Sequence, residues 1–134
     1  MKNIVILAHD KKKPEMASFI KEREEWLWGK TLVATGRSAE YLEQSGLKVP
    51  VNHLNPGKSG GYNEITQMIK NKEVELVLFF IDPDVKEGHH PDIERLINAC
   101  IRHDVPISTN TTGHELLILG QIRKEMSERS KSKG

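Results

Sequence analysis

Glu75-Leu76-Val77-Leu78-Phe79-Phe80-Ile81 runs directly into Asp82-Pro83 and, a few residues on, into Gly88-His89-His90-Pro91-Asp92. An apolar run with so little alternation reads as a β-strand covered on both faces, as strands of a parallel sheet are. Just beyond it, Ile93, Leu96, Ile97, Cys100 and Ile101 recur at i, i+3, i+4, i+7 and i+8, which is one face of an amphipathic helix. Strand, polar loop, helix is the repeating unit of an α/β fold. In open parallel sheets ligands bind beyond the carboxyl ends of the strands. Imidazole and carboxylate, the groups crowded here, are also the usual equipment for moving protons near neutral pH.

The same unit recurs in both directions. Strands are predicted at Asn3 to Ala8, Thr31 to Ala34, Val49 to Leu54, Glu75 to Ile81 and Pro106 to Thr109, of which Val49 to Leu54 carries the weakest pattern. Met16, Phe19, Ile20 and Leu27 make one helical face. A shorter helix starts at Ser38, placed as its N-cap, and closes at Gly46; another follows Gly61, and the last begins near Gly113. Five βα units with right-handed crossovers predict an α/β, three-layer, Rossmann-like domain, a parallel sheet of about five strands with helices on both faces. The domain is expected to span residues 1–126, with 127–134, rich in Ser and Lys, as a frayed tail.

Composition excludes several classes. At 134 residues the chain makes one domain able to bury roughly two thirds of its unfolded surface without metals or disulfides. Lys+Arg number 20 against Asp+Glu 19, for a net charge of +1, which argues against a nucleic-acid partner. The single cysteine, Cys100, has no internal partner and reads as a small buried hydrophobe. No charged-then-apolar leader opens the chain and no apolar run approaches the ~20 residues of a membrane span, so a soluble, cytoplasmic protein with no membrane partner is expected.

Two further strands end in polar clusters, and each cluster has a plain structural alternative. Thr35-Gly36-Arg37-Ser38 brings hydroxyls, backbone N–H groups and a guanidinium to a helix N-terminus, a combination suited to phosphate; it is equally readable as a glycine turn and helix cap. His9-Asp10 with Lys13 serves either a pocket or the cap of the first helix, with Lys11, Lys12 and Lys13 as a solvated face. Pro56-Gly57-Lys58-Ser59-Gly60-Gly61 is a second glycine-rich loop able to offer N–H groups to an anion, but it is not a P-loop, since Asn52 stands where that motif needs glycine. His89, His90 and His103 lack zinc-ligand spacing, so no metal is expected. Trp26 and Trp28 read as core or subunit-contact packing. Asn110-Thr111-Thr112 matches a glycosylation sequon, which without a secretory leader carries no meaning.

Taken together, Ala8-His9-Asp10 with Lys13, Ala34-Thr35-Gly36, Gly57 with Gly60-Gly61, Phe80-Ile81-Asp82-Pro83 followed by His89-x-Pro91-Asp92, and Ile107-Ser108-Thr109-Asn110 resemble the methylglyoxal synthase family. The resemblance covers Asn3 to about Ile118. It implies a Rossmann-like homohexamer that needs no cofactor and converts dihydroxyacetone phosphate to methylglyoxal and inorganic phosphate. A carboxylate removes a proton alpha to the carbonyl, and the resulting ene-diolate expels phosphate. By the same resemblance, His89 polarises and reprotonates the substrate oxygens, with Asp10, Asp82 and Asp92 around it. By the same resemblance, His9, Lys13, Thr35, Gly36, Arg37, Ser38, Pro56 and Gly57 match the positions that hold the substrate and its phosphate.

The chain departs from that pattern at the base. The family's base is an aspartate after a double glycine, in Gly-Gly-Asp-Gln-Gln, whereas this chain reads Gly60-Gly61-Tyr62-Asn63-Glu64. A phenol of ordinary pKa, ~10, donates a proton at neutral pH and does not abstract one. Arg37 and Ser38 stand in place of paired threonines, Ala39 in place of a glycine, and Pro56 in place of a serine. Two readings follow. In one, the chain is a lyase of the methylglyoxal synthase type using His89 with Asp10 or Asp92 as base. In the other, it is a phosphate-ligand-binding module without turnover, resembling the regulatory domain of the same fold in carbamoyl phosphate synthetases.

Overall fold

The computed structural model describes residues 2–85 and 90–133. Five parallel strands, β1 (Asn3–Ala8), β2 (Thr31–Thr35), β3 (Val51–Leu54), β4 (Val74–Phe80) and β5 (Ile107–Ser108), lie in the order β3-β2-β1-β4-β5. The helices are α1 (Lys13–Glu22), α2 (Glu24–Leu27), α3 (Gly36–Gln44), α4 (Gly61–Lys70), α5 (Pro91–Arg102) and α6 (Thr111–Lys133). This is the predicted Rossmann-like α/β architecture.

Strand alternation divides the core in two. Ile4, Ile6 and Ala8 of β1, with Leu76, Leu78 and Phe80 of β4, face α1, α3 and Ile118 of α6. Val5 and Leu7, with Val77 and Phe79, face Ile65 and Ile69 of α4 and Ile93, Leu96 and Cys100 of α5. Strands apolar on both faces therefore lie between two helical layers, as their sequences dictate. Burial of the Cys100 thiol pushes it up to about 11, consistent with an inert packing residue.

The differences from sequence expectation are local. Pro50 offers no N–H to a ladder, so β3 starts at Val51, although Val49 is buried beside it. The long first helical face is split between α1 and α2 at Arg23. Helix α3 begins at Gly36 with Thr35 as its N-cap, which puts Ser38 inside the first turn and corrects its assignment as cap. The helix closes on Gly46 as expected, at φ 90°, with the Leu47 N–H donating to the Leu42 carbonyl. Ile101 is 73% exposed, so the apolar face of α5 is one residue narrower than its pattern. Trp26 is partly buried and its indole N–H donates to Glu125, while Trp28 is exposed. The Ser- and Lys-rich stretch after 126 continues α6 as far as Lys133, in keeping with the absence of Pro or Gly before residue 134. Near its start α6 is tied to β5 by fully buried His114, whose Nδ1 lies 2.5 Å from Ser108 Oγ and whose ring packs 4.2 Å from that of Phe80.

Candidate active site

The order of strands reverses between β1 and β4, so the loops leaving these neighbours diverge and open a crevice at their carboxyl ends. A cavity of about 430 Å³ lies there. Its walls come from four successive strand ends: His9, Asp10, Lys11 and Lys13 after β1, Thr35, Arg37 and Ser38 after β2, Pro56, Gly57, Ser59 and Tyr62 after β3, and Val85 after β4. Segments from four strand ends, separate in sequence, thus share one pocket.

Each side chain is held by its element. The His9 N–H extends the β1–β4 ladder to the Phe80 carbonyl, and the ring, 7% exposed, accepts at Nδ1 from the Asp82 backbone N–H at 2.8 Å. With Nδ1 an acceptor, a neutral imidazole carries its proton on Nε2. Lys13, in the first turn of α1, turns its ammonium back to Asp10 Oδ1 at 2.6 Å and the Ala8 carbonyl at 3.3 Å. Thr35 and Ser38 are buried at the N-terminus of α3, where the Thr35 hydroxyl donates to Ser38 Oγ at 3.4 Å. Arg37 is exposed at the same helix end and makes no hydrogen bond or ion pair among the described residues. Lys11, Lys13 and Arg37 face one lining carboxylate, Asp10, so the cavity is electropositive and carries hydroxyls and a helix N-terminus besides.

The third wall depends on glycines. A Cβ at Gly61 would meet the Asn55 carbonyl oxygen at 2.1 Å, so only glycine lets the loop after β3 lie across the start of α4. Gly57 lies against the ring of Tyr62, which is 9% exposed and stacks on Phe79 with centroids 6.0 Å apart and planes at 25°. Gly36 supports the pocket from behind, close to the Leu54 carbonyl.

Two expected carboxylates point elsewhere. Asp92, in the first turn of α5, accepts from Arg95 at 2.9 Å and from the Asn63 amide at 3.4 Å and is not among the described residues lining the cavity. Asp82 is buried; its Oδ1 accepts from the Asp84 N–H at 3.0 Å, and it acts on the pocket through its backbone, by holding His9. Glu64 accepts from the Asn55 backbone and amide, away from the pocket. His89 lies outside the described residues. His90, its neighbour, caps α5 by accepting at Nδ1 from the Asp92 N–H. Lys11, Ser59 and Val85 line the cavity without having been singled out. Lys11 reads from sequence as part of a solvated lysine run, and Ser59 sits in the loop that fails the P-loop pattern; nothing in the sequence marks Val85.

The chain is similar to known proteins in sequence and in fold. The MGS-like domain family matches residues 15–116. The methylglyoxal synthase of Acholeplasma laidlawii is 40% identical over 115 residues, covering 86% of this chain and 93% of that protein. That of Geobacillus sp. is 36% identical over 132 residues, covering 98% and 93%. The crystal structure of methylglyoxal synthase from Elizabethkingia anophelis superimposes with a TM-score of 0.77 at 25% identity, covering 87% of this chain and 76% of that one. With the sheet order, the strand-end pocket and relatives matched over almost their whole length, the chain belongs to the methylglyoxal synthase family.

Proposed function

We propose that this chain binds a triose phosphate in the β1–β4 crevice and acts as a lyase of the methylglyoxal synthase type, releasing methylglyoxal and inorganic phosphate from dihydroxyacetone phosphate. The observation that carries the reading is the composition of the cavity: Lys11, Lys13, Arg37, Thr35 and Ser38 suit a phosphate dianion, and Asp10, the one lining carboxylate among the described residues, stands beside His9. Asp10 would take a proton from the hydroxymethyl carbon next to the ketone. The C–H electrons form the ene-diolate, which expels phosphate by breaking the C–O bond to the third carbon. The enol of methylglyoxal that remains takes a proton at its terminal carbon. His9, held through Nδ1, would give its Nε2 proton to a hydrogen bond with the oxygen that gains charge. His89 would share that task, and no metal or organic cofactor enters the reading.

Asp10→Asn keeps the shape and removes the base, so turnover should fall by roughly 10²- to 10⁴-fold. Turnover equal to wild type would remove Asp10 from the role. A second reading, ligand binding without turnover, is favoured by Tyr62, which sets a phenol where the family pattern has its base. Assembly into a homo-oligomer, a hexamer by resemblance, is part of the proposal. It is supported by exposed Leu116, Leu119 and Met126 along one side of α6, and light scattering tests it.

A further inference from the structure

Tyr62 is held more tightly than a residue merely filling space left by an aspartate would need to be. Its ring stacks on Phe79. At its other end a Cβ built on Gly57 would lie 2.4 Å from Cζ and 2.8 Å from the hydroxyl oxygen, so the Gly57 backbone abuts the end of the ring that carries the hydroxyl. Gly57, Ser59 and Arg37 line the same cavity as Tyr62, and Gly57 and Ser59 belong to one short turn, Gly57–Ser59. The hydroxyl therefore lies on the side of the pocket formed by the Gly57–Ser59 turn. The ring is thus flanked by Phe79 on one side and by Gly57 at its hydroxyl end.

A tyrosine hydroxyl has one proton to give, and a phosphate monoester, mostly dianionic at neutral pH, is chiefly a hydrogen-bond acceptor. Resting on the reading that the crevice holds a phosphate-bearing ligand, we infer that Tyr62 is a fixed hydrogen-bond donor to the phosphate of that ligand, and that glycine at position 57 leaves the room this donor occupies. Tyr62 is then a binding and specificity group. It favours ligands that set an acceptor oxygen beside Gly57, and it leaves proton abstraction to the β1 side of the pocket. Against the family pattern the resemblance implies, the group at that point is one that donates a hydrogen bond in place of one that takes a proton.

Isothermal titration of the full chain with inorganic phosphate tests this without relying on turnover. Tyr62→Phe keeps the ring and its stacking but removes the donor, so phosphate affinity should fall roughly ten- to hundredfold while the thermal unfolding midpoint stays close to wild type. Gly57→Ala keeps the hydroxyl but forces the ring aside, and should weaken phosphate binding as well. If wild type binds phosphate and Tyr62→Phe binds it equally well, the inference fails while the cradle stands. If wild type does not bind phosphate, the cradle itself is wrong and the inference falls with it. If Tyr62→Phe does not fold, Gly57→Ala decides, since unchanged phosphate affinity in that variant overturns the proposed pairing.

Discussion

Replacing Lys13 by methionine separates the cost of folding from the cost of binding, because the structure predicts different sizes for the two. The ammonium makes two contacts, to Asp10 Oδ1 at 2.6 Å and to the Ala8 carbonyl at 3.3 Å. The Lys13 side chain is 11% exposed, but its partner carboxylate is 79% exposed, so removing the cation leaves no buried orphan charge. An ion pair with one partner in solvent is worth about 0–1 kcal/mol. The lost donor to Ala8 adds about 1 kcal/mol, and methionine retains the aliphatic packing of the stem. The loss of stability should therefore be only about 1–2 kcal/mol. A phosphate held by the same ammonium loses a charge-assisted hydrogen bond worth about 1.5–3 kcal/mol, or roughly ten- to hundredfold in affinity. Arg37→Ala is the companion variant. Its guanidinium is exposed and unengaged among the described residues, so affinity should fall by a similar factor with no measurable change in stability. Calorimetric titration with inorganic phosphate and urea unfolding of both variants give the two quantities. Unchanged phosphate affinity in Lys13→Met, with stability reduced by more than about 3 kcal/mol, would show Lys13 to be a structural group and refute its part in the cradle.

Three more predictions concern the scaffold. Gly61→Ala should destabilise the fold by about 1–3 kcal/mol, read by urea unfolding, because its methyl would meet the Asn55 carbonyl oxygen at 2.1 Å; an unchanged midpoint would mean that the loop yields freely. Lys72 closes α4 at φ 61°, with its N–H donated to Ile69 and that of Glu73 to Met68. Lys72→Gly should accordingly raise stability by about 1 kcal/mol, since glycine adopts this conformation without the steric penalty. Burial pushes His114 from 6.5 down to about 4, with Glu15 acting in the opposite sense. The unfolded chain takes up a proton in that window and the fold does not, so stability should be complete above pH 6.5 and fall by at most about 3 kcal/mol as pH drops toward 4. His114→Gln should lack this component when unfolding is followed across the same range.

The scaffold was legible because its strands carry their own label. Ile4 to Ala8 and Leu76 to Phe80 are apolar on both faces, which only a two-sided parallel sheet requires, and the helical stripes between them supply the two layers. What was not legible turned on contacts between distant segments. Whether Asp92 reaches the pocket depends on Arg95, one turn along α5, and on Asn63 from a different helix, and the second of these has no trace in local pattern. The N-cap moved from Ser38 to Thr35 because the chain enters the helix directly from β2, whereas residue preference alone favours the later serine. Lys11 looked like one of three solvated lysines until the turn at Asp10–Lys12 set it on the cavity rim. Tyr62 was visible as a departure from a family pattern; its stacking on Phe79 and its closeness to Gly57 were not.

The most direct test of the account is incubation of the purified wild-type chain with dihydroxyacetone phosphate, with methylglyoxal and inorganic phosphate measured in the same samples against a protein-free control. Elimination in the β1–β4 crevice predicts that both products appear in equal amounts, well above the control rate, and that added inorganic phosphate slows them. Product formation no faster than the control, by a protein that binds the phosphate ester, would contradict the lyase and leave a binding module in its place.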